Sequence, residues 1–236
     1  MPYGTLYLVP TPIGNLEDIT LRALRVLKEV DSVICEDTRQ TIKLLNHFGI
    51  QKPLISFYTY NQERRIPGIV GGLSAGKNYA LVSDSGTPGI SDPGFFLVEA
   101  ALKAKANVVP LPGASAAITA LVASGLPTHS FLFLGFLKKK SGKMKKELDA
   151  ASKTGATVIF YESPHRIRKT LALCAEVFAK ETEVVLAREL TKKFEEFLRG
   201  TLEEINIQLA QKEPMGEYVV LINCSDKPEP EDEQDD

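Results

Sequence analysis

The stretch YALVSDSGTPGISDPG, residues 79–94, decides how the rest of the chain is read. Its first four residues are apolar without alternation, the pattern of a strand covered on both faces. The loop that follows, residues 83–94, holds three glycines and two prolines. That composition fixes an unusual backbone path and lets a ligand approach the main chain closely. Within it, Ser83, Asp84 and Thr87 can bond an amine or hydroxyl groups.

Working outward, residues 5–9, 32–35, 54–57 and 108–109 form similar short strand-like runs. Between them Leu21, Leu24 and Leu27, then Ala23, Val26 and Val30, then Leu97, Ala101 and Ala104, recur at helical spacing. Strand, helix and strand in repetition predict an α/β fold with a parallel-rich sheet, whose ligands sit beyond the carboxyl ends of the strands. A second set follows Pro127, with strands at 131–134, 157–161, 183–186 and 218–222 and helices at 143–151, 167–178 and 202–211. The reading is two tandem α/β domains, 1–127 and 128–225, with an interdomain cleft, and a disordered acidic tail over 226–236.

With 44% hydrophobic residues in 236, the chain can bury a substantial core. Residues 107–137 carry no Asp, Glu, Lys or Arg, yet Pro110, Pro112, Gly113, Gly125 and Pro127 break any membrane-length helix. No membrane partner is expected. The first ten residues lack the basic segment and apolar core of a secretion signal, which predicts a cytoplasmic protein. Cys35, Cys174 and Cys224 are odd in number and widely spaced, and His47, His129 and His165 show no ligand spacing, so neither a disulfide framework nor a metal is expected. The net charge of −2 divides unevenly: the tail contributes −6, leaving residues 1–225 at +4. A mildly basic body of this kind tolerates a polyanionic partner.

Other strand ends carry polar clusters: Glu36, Asp37, Thr38 and Arg39, then Glu162 to Arg166, then Arg188 to Lys192. Charged residues at the ligand-binding edge suit catalysis, and equally suit surface ion pairing and helix capping. The loop 111–116 opens a helix, where free N–H groups favour an anion or a serine cap. The first loop, PTPIGN at 10–15, lacks GxGxxG, and no GxxxxGK[ST] occurs, so dinucleotide and P-loop sites are unsupported. Six lysines fall within residues 138–146, among them Lys138, Lys139, Lys140 and Lys143, either a solvated face or a loop that grips phosphate.

Six segments together resemble one family. They are LVPTPIGNLEDIT (8–20), CEDTR (35–39), SDSGTPGISDPG (83–94), PGASA (112–116), YESPHR (161–166) and RELTK (188–192). The resemblance is to the small-subunit ribosomal RNA methyltransferases of the tetrapyrrole methylase superfamily. It implies S-adenosylmethionine as methyl donor, a homodimer, and 2′-O-methylation of a cytidine in the decoding region of 16S ribosomal RNA in the small subunit. Carried over by position, the donor site falls on Pro10, Ser83, Asp84, Gly86, Thr87, Pro88, Ser115, Ala116, Tyr161 and Gly216. Ser85 stands where the family's loop often has alanine.

A ribose hydroxyl is a poor nucleophile until its proton leaves, so a general base is sought among Glu162, His165, Glu189 and Asp37. Arg166, Arg188 and Lys192, with the lysine run, are the candidates for RNA phosphates. Two alternatives stand beside this reading: a tetrapyrrole C-methyltransferase on the same fold, and a ribosome-assembly factor that binds RNA without turnover.

Overall fold

The computed structural model describes residues 3–224, so the acidic tail lies outside the described residues. It divides into two compact units, one ending at Ser115 and the other beginning at Ala116, upstream of Pro127.

The first unit is a five-stranded sheet of β1 (Thr5–Leu8), β2 (Ser32–Cys35), β3 (Leu54–Ser56), β4 (Tyr79–Leu81) and β5 (Asn107–Pro110). Their order is β3-β2-β4-β1-β5, and every pairing is parallel. Side chains alternate across it. Val33, Cys35, Ala80 and Val82 face one layer with Val26 and Leu27 of α1 (Leu21–Glu29) and Leu45 of α2 (Thr38–His47). Leu6, Ile34, Tyr79 and Leu81 face the other, with Leu73 of α3 (Gln62–Ser74) and Leu97 of α4 (Gly94–Lys103). Burial on both faces explains why residues 79–82 read as an unbroken apolar run.

Strand order sets where a ligand can enter. From β1 the chain passes through α1 to β2 on one side; from the adjacent β4 it passes through α4 to β5 on the other. Neighbouring strands whose connections diverge leave a crevice at their carboxyl ends. The loop of residues 83–94 leaves β4 there, and the loop of residues 10–15 leaves β1.

The second unit opens with α5 (Ala116–Ser124), which packs against β7 (Thr157–Glu162), β8 (Glu183–Arg188) and β10 (Tyr218–Asn223). β6 (Phe131–Phe136) and β9 (Glu196–Thr201) complete a sheet of order β6-β7-β10-β8-β9. Here the parallel-rich expectation holds for the β6–β7 pair alone, and the other three pairings are antiparallel. The cause is β9, absent from the sequence reading. It returns from β8 without an intervening helix, and such a short connection permits only antiparallel pairing. The opposite face from α5 buries Phe160, Leu186 and Val220 under α6 (Ser141–Ser152), α7 (Ile167–Cys174) and α8 (Leu202–Gln211).

All three cysteines are free, with Cys35 and Cys174 buried. Among the described residues no helix is long and apolar enough to cross a membrane, and no cluster of His, Cys, Asp or Glu is placed to hold a metal ion.

The start of α8 is fixed by a reciprocal cap. The Thr201 hydroxyl accepts the Glu204 N–H at 3.2 Å, and the Glu204 carboxylate accepts the Thr201 N–H at 2.8 Å. Thr201→Ala leaves that N–H of Glu204 without a side-chain acceptor and is expected to lower unfolding stability by about 1 kcal/mol. Chemical denaturation measures it, and an unchanged midpoint would contradict the cap's contribution.

Candidate active site

Three strand-end loops of the first unit are stitched into one platform. Thr11 and Gly86 exchange backbone hydrogen bonds in both directions at 3.0 Å. The Thr11 hydroxyl donates to the Ser83 carbonyl at 3.0 Å, and the Ser83 hydroxyl to the Gly86 carbonyl at 2.9 Å. From the same loop the Thr87 hydroxyl donates to the Ala114 carbonyl at 3.0 Å. Pro10 packs closely on Gly113, where a Cβ would meet the ring at 2.5 Å. Gly86 has φ +81, a conformation costly to other residues, and a Cβ there would meet Ile13 at 3.3 Å. The structure thus gathers Pro10, Ser83, Asp84, Gly86, Thr87 and Pro88 at the crevice the strand order creates. Ser115 follows as the last residue of this unit.

Carboxylates dominate the electrostatics of this edge. Asp84 Oδ1 accepts the backbone N–H of Asp37 at 3.1 Å, tying the β4 loop to the start of α2. Asp92 accepts the N–H groups of Gly89, at 2.8 Å, and Gly94, at 2.7 Å. Burial nevertheless pushes its carboxyl up against those N–H groups. Glu36 is also raised, first by desolvation and then by the negative charges of Asp84, Asp92 and Asp37. Asp37 goes the other way. The Arg39 guanidinium at 2.7 Å, together with backbone N–H bonds, holds it at about 2 against an ordinary 3.8. A base works best with a pKa near the working pH. Asp37 is therefore a poor proton acceptor at neutral pH, whereas Glu36, in the same motif but not among the candidate bases named from the sequence, is shifted the other way. The signal lay in the spacing: Arg39 two residues on pairs with Asp37 and leaves Glu36 alone.

Beside this edge lies a hollow of about 320 Å³ within the first unit, bordered by Pro12 and Leu16 on the β1 side, by Gln40, Leu44 and His47 of α2, and by Asp84.

In the second unit, Glu162 ends β7 with its side chain only 1% exposed. It accepts the Thr170 hydroxyl at 2.6 Å and the Ser163 N–H at 2.8 Å, and pairs with Arg166 at 3.3 Å. A carboxylate so enclosed has no open face for a substrate proton. It positions Arg166, whose guanidinium also donates to the Leu137 carbonyl at 3.2 Å and so pins the chain just before the lysine run. His165 is exposed beside it. Tyr161 stacks edge-on with Phe133 and Phe136, at 5.0 and 5.5 Å between ring centroids, and burial pushes its phenol up against the opposing backbone bond from Ala117. Ala116, next to it, opens α5.

The loop after β8 is strained, with Glu189 at φ +51 and Thr191 at φ +65. Burial raises the Glu189 carboxyl, but the Glu217 N–H at 3.0 Å and the Lys192 ammonium at 2.9 Å outweigh it and hold it below its usual value. Gly216, φ +78, makes this possible: a Cβ there would stand 2.5 Å from Glu189 Cγ. Lys192 also pairs with Glu217 at 2.8 Å, and Arg188 with Glu196 at 3.0 Å. The cations proposed for phosphates thus fall into two groups. Arg166, Arg188 and Lys192 are engaged within the protein, whereas Lys138, Lys139, Lys140 and Lys143 are exposed and pair with no carboxylate among the described residues. Within the run, Lys145 pairs with Glu176 at 2.8 Å.

A doubly wound sheet with a glycine-rich, carboxylate-flanked loop at its switch point, followed by a mixed sheet, defines a recognised class. Residues 5–206 match the Tetrapyrrole (Corrin/Porphyrin) Methylases, and the chain belongs to that family. It is 50% identical over 230 residues to the ribosomal RNA small subunit methyltransferase I of Halalkalibacterium halodurans, covering 97% of this chain and 79% of that one. It is 48% identical over 231 residues to the protein of the same name from Bacillus subtilis, covering 98% and 79%. The fold is shared with uroporphyrin-III C-methyl transferase from Thermus thermophilus, complexed with S-adenyl homocysteine, at TM-score 0.64 and 19% identity over 94% of this chain and 98% of that one.

Carboxyl titration by NMR tests the electrostatics. Asp37 is expected to titrate at about 2 and, in Arg39→Ala, to return towards 3.8. Because its folded value is depressed, its contribution to stability is complete above 3.8 and is lost as pH falls through about 2. Glu36 should titrate above 4.5 and come down in Asp84→Asn. Ordinary midpoints for both groups would contradict the described arrangement.

Proposed function

We propose that this chain is an S-adenosylmethionine-dependent methyltransferase that methylates the 2′-oxygen of a cytidine ribose in the decoding region of 16S ribosomal RNA. It acts on the small ribosomal subunit in the cytoplasm and works as a homodimer. The observation that carries this reading is the 50% identity, over 97% of the chain, to a relative named for ribosomal RNA small subunit methylation. The tetrapyrrole alternative has weaker support, since the uroporphyrin methyltransferase shares the fold at 19% identity. The assembly-factor alternative does not call for a loop shaped to bring a ligand against its main chain.

The residues of the first unit fit the donor. Gly86 and Gly89, at φ +81 and +89, open the backbone for close approach. Glu36, Asp37, Asp84 and Asp92 create a negative field that favours a ligand bearing a sulfonium and an ammonium. Bound there, the donor supplies an electrophilic methyl group. Thr11, Ser83 and Thr87 spend their hydroxyls on neighbouring carbonyls, so their part is to hold the loop's shape. On the second unit, Ala116, Tyr161 and Gly216 are the proposed donor contacts.

For the acceptor, the 2′-hydroxyl loses its proton to a base as the methyl moves onto oxygen. Glu36 is the carboxylate whose raised pKa suits that task, with the exposed His165 the second candidate. Lys138, Lys139, Lys140 and Lys143 hold RNA phosphates, and Glu162 with Arg166 fixes the chain segment from which they project.

Alkaline cleavage reads out which atom is methylated. It requires the free 2′-oxygen, so a methyl there protects one linkage, whereas a methyl on the base leaves it labile. Small subunits from cells lacking this protein, incubated with the purified enzyme and labelled donor, are expected to gain one alkali-resistant linkage in the decoding region. Label entering RNA with every linkage still labile would overturn the 2′-O assignment. Label entering a tetrapyrrole precursor instead would overturn the RNA substrate.

A further inference from the structure

The hollow in the first unit has walls of distinct chemistry. One is a stripe of α2: Gln40, Leu44 and His47 stand at positions i, i+4 and i+7, with Lys43 adjoining. The helix buries the adjoining Thr41 and Leu45, and Thr41 also borders the hollow, so this stripe is held in a fixed orientation. The facing wall, Pro12 and Leu16, is apolar. Ser83 and Asp84, from the loop proposed to hold the methyl donor, form the floor.

The polar groups there divide into spent and free. The hydroxyls of Thr11 and Ser83 already donate to backbone carbonyls, whereas Asp84 accepts the Asp37 N–H through Oδ1 and keeps further acceptor capacity. Among the described residues, the Gln40 amide and the Lys43 ammonium take part in no side-chain hydrogen bond or ion pair, and the His47 imidazole meets the Phe48 ring edge-on at 4.8 Å. A volume of about 320 Å³ stands at the low end of small-ligand sites, about 300–1,000 Å³, with room for one nucleotide and none for a paired stem.

We infer that this hollow receives the acceptor nucleotide, drawn out of the folded RNA, with Gln40 reading the edge of its base and Lys43 holding a flanking phosphate. An amide presents a donor pair and an acceptor side by side, which suits the amino group and ring nitrogen of a cytosine edge. Leu44, Leu16 and Pro12 supply apolar surface for the ring faces, and His47 a planar group at the rim. Sequence-specific RNA recognition favours unstacked bases held in this way. The floor is shared with the donor loop, so a nucleotide seated here has its ribose next to Ser83 and Asp84. This inference rests on the ribosomal RNA reading and adds to it the place and residues of acceptor recognition.

The test uses the full chain with Gln40→Leu and Lys43→Ala, thermal melting as the folding control, and calorimetric titration with S-adenosylmethionine. Activity is measured on small subunits from cells lacking the protein, and on subunits whose methylated cytidine is replaced by uridine. Both variants should melt and bind donor as the wild type does. Gln40→Leu should lose about tenfold or more in kcat/KM on cytidine subunits and discriminate less against uridine. Lys43→Ala should raise KM and flatten its salt dependence. Donor affinity falling in step with activity would overturn the inference, because the hollow would then belong to the donor. Full activity and discrimination in both variants would overturn it while leaving the ribosomal RNA reading intact. No transfer to subunits by the wild type would overturn that reading, and this inference with it.

Discussion

The two-way backbone bridge between Thr11 and Gly86 is the constraint on which the rest of the first unit's chemistry depends. Parallel strands end in loops that have no reason to meet, and here the loops after β1 and β4 are joined across the switch point. Gly86 can serve because its φ of +81 costs glycine little, and Ile13 and Ala114 close in around it. Once that bridge forms, the hydroxyls of Thr11, Ser83 and Thr87 each reach a carbonyl, and the third loop is drawn in through Ala114. The result is a stiff main-chain surface flanked by carboxylates. Rigid elements of this kind hold a reacting group in place better than mobile loops do.

The second unit solves a different problem, that of holding charge where charge is costly. Glu162 is buried at the end of β7 and remains tolerable because Thr170, Ser163 and Arg166 all meet its carboxylate. Glu189 is kept anionic by Lys192 and the Glu217 N–H, in a loop whose backbone is strained at two residues. Strain of this sort persists where surrounding structure over-determines it, and it gathers at functional sites. Lys138, Lys139, Lys140 and Lys143, which precede and open α6, are exposed and are able to meet a polyanion.

Much of this was legible in the sequence. The first sheet was, because strands buried on both faces read as short apolar runs, and helices one face deep read at helical spacing. β9 was not: Glu196, Arg199 and Gly200 interrupt its pattern, and its partner β8 identifies it as a strand only through space. The glycine-rich loop announced itself by composition, but its bridge to Thr11 joins residues far apart in the chain. The difference between Asp37 and Glu36 was only half legible: the spacing to Arg39 marks Asp37, whereas the Asp84 and Asp92 carboxylates that act on Glu36 come from a loop distant in the chain. Asp37 and Glu36 are adjacent in sequence and shifted in opposite directions, one by Arg39, the other by burial and its carboxylate neighbours. Glu162 looked catalytic beside His165 and Arg166 because burial cannot be read from a charged cluster.

The most direct measurement is a crystal structure of the full chain grown with S-adenosylhomocysteine. The expected result is the ligand lying against the main chain of residues 83–88, its ammonium turned towards Asp84, with the Thr11–Gly86 bridge intact. A ligand bound elsewhere with that loop uncovered, or bound only after the bridge has opened, would contradict it.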